Sequence, residues 1–544
     1  MTHNSPTGWE GHGEDVDVFI TDAWICDGTG SSPQKGSVSV TGDRITGIYI
    51  GEAPTLQCTK IIRGEGKILA PGFVDVHSHS DYTVLAAPES LSKITQGITT
   101  EIVGNCGFSA FPLSGVLRDD EITAHSALGI EFSWTNAHEY FEQVEKAKPA
   151  VNIASYVGHR NLRGCVLGFE DRRPTHTELK AMIRLLAEAF EAGAIGISTG
   201  LIYIPGLFAD SEELCALTLE SAKRGGIYAS HIRGEGDRLL QAAEEFFTIV
   251  DHTGTRAQYS HLKASGKRNW GKVDVVLAEI EKRLERGAHI GFDRYPYTAS
   301  STELSSLLPS WVVEGGRAAA LRRLSDSSMR ERIAQELEDD FRGEAPWHDI
   351  LLADIPHESY RHYCGWSLAA LAEELRMRPL DLFFELLVAG ELEVWICHFT
   401  MSERDMDRVL SHPLCMVCTD AESRATQGVL AQGSPHPRAF GSFPQFIRRY
   451  VVEQKNMPIE EAIRKMTQLP AQAFQLKDRG QIALGYTADL VLFDLEAIGD
   501  PNEFGKPPRY ATGVEMVMVN GVVEIENGVP TDARGGKVLR AQNR

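Results

Sequence analysis

Apolar and polar positions along the chain fall into two textures. Residues 16–70 alternate apolar with polar positions in short segments, DVFITDAWICDGTG, GSVSVTGDRITGIYIG and TKIIRGEGKILAPG, separated by Gly and Asp. That period of two, broken by turn residues, predicts short antiparallel strands. The C-terminal part repeats the texture in GYTADLVLFDLEAI and GVEMVMVNGVVEIENG. Two β-rich ends around a different middle predict one small β domain, a β-sandwich, assembled from residues 1–70 and 480–544.

The middle, residues 71–479, alternates strand-length apolar runs with helix-period stretches. The runs NIASYV, AIGIST, IYASHI, RAQYSHL, HIGFDRY and LCMVCTD are the plainest strands. Between them, 176–193 sets Leu179, Met182, Ile183, Leu186 and Phe190 on one face and stops at Gly193. Stretches 211–224, 237–251 and 273–287 are amphipathic in the same way. Repeated strand–helix alternation predicts a parallel sheet, and eight strands, starting near 73, 99, 152, 194, 227, 256, 289 and 414, favour a closed (β/α)₈ barrel over an open sheet. Residues 303–395, between strands seven and eight, form an insertion with a helical stretch at 316–339, expected to be a lid or specificity subdomain.

Composition narrows this α/β picture only a little. Apolar residues make up 42% and charged residues 24% of the 544 positions, an ordinary globular balance. A formal charge of −21 without a basic patch argues against a nucleic-acid partner. No run approaches the roughly 18 apolar residues of a membrane span. The polar, acidic start MTHNSPTGWEGHGEDVDV carries no export signal, so a cytoplasmic protein is expected. The cysteines, without framework spacing, are expected to be reduced and mostly buried.

The chemistry sits at strand ends. In a (β/α)₈ barrel, side chains at the C-terminal ends of strands point into the active site. The first strand ends in GFVDVHSHSD, giving His77 and His79 on one side of the strand. The second ends in EIVGNCGFS with Cys106, the fifth in YASHIRGEG with His231, the sixth in QYSHLKASG with His261, and the eighth in CMVCTDAES with Asp420. A single His in a strand is usually a core residue, but six donors at successive strand ends point to a metal site. Imidazole, thiolate and carboxylate together suit Zn²⁺, and six donors exceed one tetrahedral ion, so two sites about 3.5–4 Å apart are expected. Asp420 is the candidate general acid/base, a metal ligand, or both.

These segments, with GHRNLRG, GISTGLIYIPG, DRYPYTASST, HPRAFGSFPQF and ADLVLFD, resemble the N-acyl-D-amino-acid deacylase (D-aminoacylase) family of the amidohydrolase superfamily, over nearly the whole chain. The resemblance implies zinc-dependent hydrolysis of N-acyl-D-amino acids to a carboxylate and a free D-amino acid. Other superfamily members bridge their metals with a carboxylated lysine at strand four. That strand here reads AIGISTGLIY, and the resemblance implies Cys106 as the bridge instead. It further implies a tight site from Cys106, His231 and His261, and a weaker one from His77, His79 and Cys106. Lys263, Tyr295, Ser301 and Arg438 match positions that grip the substrate carboxylate. The loop AESRATQGVLAQGSPHPR after Asp420 is longer than in relatives and lacks their glycine at 421.

Blander readings attach to other residues. Cys415 and Cys418 are expected to pack in the eighth strand, and His398 to be structural. His159 stands between a partner of the ligands and a structural residue, and Tyr203 between substrate contact and loop support. A hydrolase of another linear or cyclic amide and an inactive binding protein are the competing functions. The partner expected is a small-molecule amide, with neither nucleic acid nor membrane, and homo-oligomerisation is open.

Overall fold

The computed structural model describes residues 16–541; the outermost residues of the terminal β domain lie outside them. Eight strands run parallel in succession: β1 (Phe73–Asp75), β2 (Ile98–Val103), β3 (Asn152–Ser155, continued by Val157–Gly158), β4 (Gly196–Gly200), β5 (Ile227–His231), β6 (Arg256–Tyr259), β7 (Ile290–Arg294) and β8 (Cys415–Val417). The two ends of this succession also meet. Ser78 and Ala421 form a parallel bridge, and the Asp420 amide donates to the His77 carbonyl at 2.8 Å. All eight strand starts lie within two residues of the positions expected from the pattern.

The helices between strands follow their predicted faces. His176–Ala192 starts at a capping box, in which Thr175 and Glu178 satisfy each other's backbone amides, and ends at Gly193 with φ 112°, a value that suits only glycine. Met182, Leu186, Ala189 and Phe190 are its buried residues, packing into the main core.

The chain ends join in one hydrogen-bonded sheet of nine strands. Val16–Ile25 pairs with three of its strands, and Ile68–Pro71, one of the three, pairs antiparallel with Leu490–Phe493, which leads on to Val514–Val519 and Val522–Glu526. The far edge returns towards Leu490, since Arg44 bridges Thr487. The tail then crosses to the parallel strands, where the Leu539 amide donates to Ile153 and Ala541 to Gly193.

The insertion carries its own core, with Leu352, Leu371, Phe383, Leu386 and Ile396 fully or almost fully buried. Three strands, Ala299–Glu303, Trp395–Phe399 and Ile350–Asp354, pair antiparallel in that order. The helical stretch expected at 316–339 is two helices, Arg317–Ser325 and Ser327–Phe341. They break at Asp326, whose carboxylate accepts the Ser328 and Met329 amides and caps the second helix.

Candidate metal centre

The six strand-end donors converge. His77 Nε2 lies 3.2 Å from Cys106 Sγ, His261 Nε2 3.5 Å and His231 Nδ1 3.6 Å. Asp420 Oδ1 is 3.2 Å from His79 Nε2 and 3.3 Å from His77 Nε2. They form two groups, His77–His79–Cys106–Asp420 and Cys106–His231–His261, with donor atoms of each group within 4.8 Å of one another. Cys106 is common to both.

Backbone geometry aims these donors. Cys106, His261 and Asp420 all have left-handed φ, at 53°, 35° and 49°, which is uncommon for non-glycine residues and concentrates at functional sites. The turn holding Cys106 is threaded through glycines. A Cβ on Gly200 would overlap the Cys106 carbonyl, and one on Gly107 would lie 2.7 Å from the Gly200 amide nitrogen. So at the end of β4 the cysteine turn leaves no room for a side chain at Gly200.

The electrostatics favour ionised donors. Burial raises the Cys106 thiol, but His77, His261 and the imidazole contacts outweigh it and hold the group well below its ordinary value. Burial likewise raises Asp420, while the Arg438 guanidinium and the imidazoles of His261 and His77 bring it well below the usual carboxylate range. His79 is raised to about 9: burial lowers it, and its contacts with Asp420 and Cys106 reverse that.

Behind the donors lies a layer of carboxylates that sequence reasoning missed. Asp293 Oδ1 sits 3.2 Å from His77 Nδ1 and accepts the His261 amide at 2.8 Å, and Gln258 donates to its other oxygen at 2.6 Å. Glu235 Oε1 lies 3.1 Å from His261 Nδ1. A carboxylate behind a ligating imidazole fixes its orientation and raises its basicity. The signals are faint: Asp293 shares the inward parity of Tyr295 in DRYPY, and Glu235 follows His231 by four residues in YASHIRGEG. Deeper still, the fully buried Lys93 donates to Asp75 at 2.9 Å and to Thr419 and the Ala421 carbonyl at 2.8 Å, with Glu101 3.1 Å away. Lys93 thereby ties the loop after Asp420 to β1 and β2.

The four expected carboxylate-binding residues surround one wall. Arg438 is buried, donating from Nη1 to Asp420 Oδ2 at 2.8 Å and from Nη2 to the Ser301 carbonyl at 3.3 Å. Its guanidinium stands 4.7 Å over the Tyr295 ring. The Tyr295 hydroxyl is buried without a hydrogen-bond partner, and Lys263 Nζ lies 5.8 Å from the same ring. Lys263 is already engaged, 2.6 Å from Glu235 Oε1 and 2.7 Å from His261 Nδ1.

The remaining residues resolve towards structure. His159 is buried against Glu213, with Nε2 2.8 Å from Oε1, and touches none of the donors. Tyr203 is placed otherwise. Its ring packs 5.4 Å from that of His231, and its hydroxyl lies 3.2 Å from Thr302 Oγ1. His398 lies in the insertion's sheet, where burial lowers it to about 4. Cys415 and Cys418 are buried in and just after β8, and burial raises both thiols.

Known proteins resemble the chain in sequence and in overall fold. The model of the amidohydrolase family matches residues 61–301 and 432–524. The unmatched stretch between them holds most of the insertion together with β8 and Asp420. N-acyl-D-glutamate deacylase of Alcaligenes xylosoxydans xylosoxydans is 34% identical over 97% of both chains. N-acyl-D-aspartate deacylase of the same organism is 33% identical over 96% of this chain and 95% of its own. The crystal structure of N-acyl-D-glutamate deacylase from Bordetella bronchiseptica, complexed with zinc and a phosphonate mimic of the tetrahedral intermediate, superposes with a TM-score of 0.82. It is 33% identical and covers 97% of this chain and all of its own.

Proposed function

The chain belongs to the amidohydrolase family, and from that premise we propose that it is a zinc-dependent hydrolase of N-acyl-D-amino acids, releasing a carboxylate and a free D-amino acid. The observation that carries the reading is the sharing of Cys106 between two donor groups. We read residues 71–479 as a (β/α)₈ barrel, the insertion at about 303–395 as its lid-like subdomain, and residues 1–70 with 480–544 as the β-sandwich domain.

The donors suit zinc. A tetrahedral ion with Zn–S near 2.3 Å and Zn–N near 2.0 Å spaces its sulfur and nitrogen about 3.5 Å apart. The observed separations to His261 and His231 are 3.5 and 3.6 Å. Cys106, His231 and His261 would hold a tight ion, and His77, His79, Cys106 and Asp420 a weaker one. Bound there, zinc would polarise the acyl carbonyl and acidify water to a pKa of about 7.

The chain's own groups supply the rest. Asp420 takes the proton of the attacking water and delivers it to the departing amine nitrogen, which as a bare amide anion would leave very poorly. Tyr295, Ser301 and Arg438 receive the substrate carboxylate, while Lys263 adds positive charge from behind Glu235 and His261. The arriving carboxylate draws on Arg438, and this relieves the grip that depresses Asp420. The general base therefore gains basicity as substrate binds.

The test is a matched-enantiomer assay of metal-loaded protein on N-acetyl-D- and N-acetyl-L-amino acids, reading released amine. Release from the D series alone is expected. Silence on both series would overturn the reading and point to cyclic or larger amides.

A further inference from the structure

The wall beyond Tyr203 carries charge that the hydrolytic reaction does not use. The strand Ala299–Glu303 passes the site with Ser301, places Thr302 against the Tyr203 hydroxyl, and ends at Glu303. Residues two apart on a strand share a face, so Glu303 follows Ser301 along the same side, about 7 Å on. The Tyr203 phenol is raised well above its ordinary value, first by burial, then by Cys106, with Asp420 and Glu303 adding to it. Tyr203 thus packs against the His231 ring on one side and meets Thr302, the residue before Glu303, with its hydroxyl on the other. Phe108 closes the same recess, with its ring 5.1 Å from that of Tyr203 and the Arg160 guanidinium 4.8 Å over its face.

Glu303 makes no ion pair within 4 Å among the described residues; its carboxylate accepts from Ser305 Oγ at 3.0 Å. The cations in reach are committed elsewhere: Arg160 pairs with Asp120 and Glu121, and Arg317 with Glu393 and Asp120. Four carboxylates, those of Asp120, Glu121, Glu303 and Glu393, thus face two guanidiniums. Burial, and after it the neighbouring Glu393, raises Glu303 to about 7. An acid kept short of positive charge in a recess is a receptor for a cation, because an incoming ammonium or guanidinium offsets the cost of burying it.

We infer that Glu303 selects the amino-acid side chain of the substrate: its carboxylate, on the strand face that Ser301 presents, receives a cationic side chain, such as the ammonium of lysine, and disfavours an acidic one. The inference rests on the deacylase reading. It sets this chain apart from the relatives named for D-glutamate and D-aspartate.

The experiment compares kcat/KM of the metal-loaded full-length protein on N-acetyl-D-lysine, N-acetyl-D-glutamate and N-acetyl-D-leucine, before and after Glu303→Gln and Glu303→Lys. The unaltered protein is expected to prefer lysine over glutamate by about tenfold or more, the scale on which one well-placed contact discriminates. Glu303→Gln should lower that ratio about tenfold, and Glu303→Lys should invert it. Hydrolysis of N-acetyl-D-leucine with glutamate preferred over lysine, or with a ratio that Glu303→Gln leaves unmoved, overturns the inference and leaves the deacylase reading standing. Failure to hydrolyse any of the three overturns the deacylase reading and the inference with it. The ranking by the unaltered protein decides the matter even where a variant does not fold.

Discussion

The carboxylate of Asp420 lies between two opposed demands. On one side it faces His79 and His77 at 3.2 and 3.3 Å, and on the other it accepts Arg438 Nη1 at 2.8 Å. Arg438 is therefore the main cation depressing Asp420, and in the proposed reaction it also receives the substrate carboxylate. Replacing Arg438 with Ala should raise KM for N-acyl-amino acids and leave the KM of a decarboxylated analogue nearly unchanged; equal effects on both would remove Arg438 from the substrate site. The same change lets Asp420 rise, because burial then acts with less opposition. The acid limb of kcat/KM, which reports the free enzyme, should accordingly move to higher pH. A limb that stays in place would assign it to another group. At this scale the sequence was highly legible for the donors, since each follows a strand at a predictable end. It was poorly legible for Asp293 and Glu235, carboxylates whose role depends on which imidazole stands in front of them. Lys263 illustrates the gap: its spacing from His261 placed it at the site, but only three-dimensional packing reveals Glu235 already holding its ammonium.

At the scale of elements, the junction of β1, β2 and β8 depends on one buried ammonium. Lys93 sits at zero exposure with Asp75 and Glu101, also fully buried, against it. Removing one partner of a buried ionic group leaves charge uncompensated and typically costs about 3–5 kcal/mol. Lys93→Met should lower the free energy of unfolding by about that amount in a denaturant titration. A loss below about 1 kcal/mol would show that the two carboxylates are readily neutralised by protonation. No pattern in the sequence announced this knot, because Lys93 lies in a four-residue helix, too short for any periodicity to emerge. The strands and long helices were legible because each repeats its face several times. The break at Asp326 was missed because a capping residue inside a helical stretch reads as one more polar position.

For the molecule as a whole, the donors come from segments as far apart as His77 and Asp420, so a metal shared between them would tie distant parts of the chain. A ligand that binds only the folded state stabilises it by RT ln(1 + [L]/Kd), about 4 kcal/mol at a thousandfold excess over Kd. Stripping the protein with a chelator should lower Tm by several degrees, and adding zinc back should restore it. A Tm indifferent to both treatments would mean that the donor cluster holds its shape without an ion. Among the described residues no helix is long and apolar enough to cross a membrane.

The pairing of Ile68–Pro71 with Leu490–Phe493 has a consequence for biosynthesis. As the chain leaves the ribosome, this early strand has one edge waiting for a partner more than four hundred residues downstream. At roughly 5–20 residues per second that interval is about 20–80 s. During it the nascent N-terminal half presents an open strand edge, the kind of surface on which chains aggregate. Slowing translation late in the message would prolong that exposure, whereas supplying a chaperone that shields strand edges would shorten its effect.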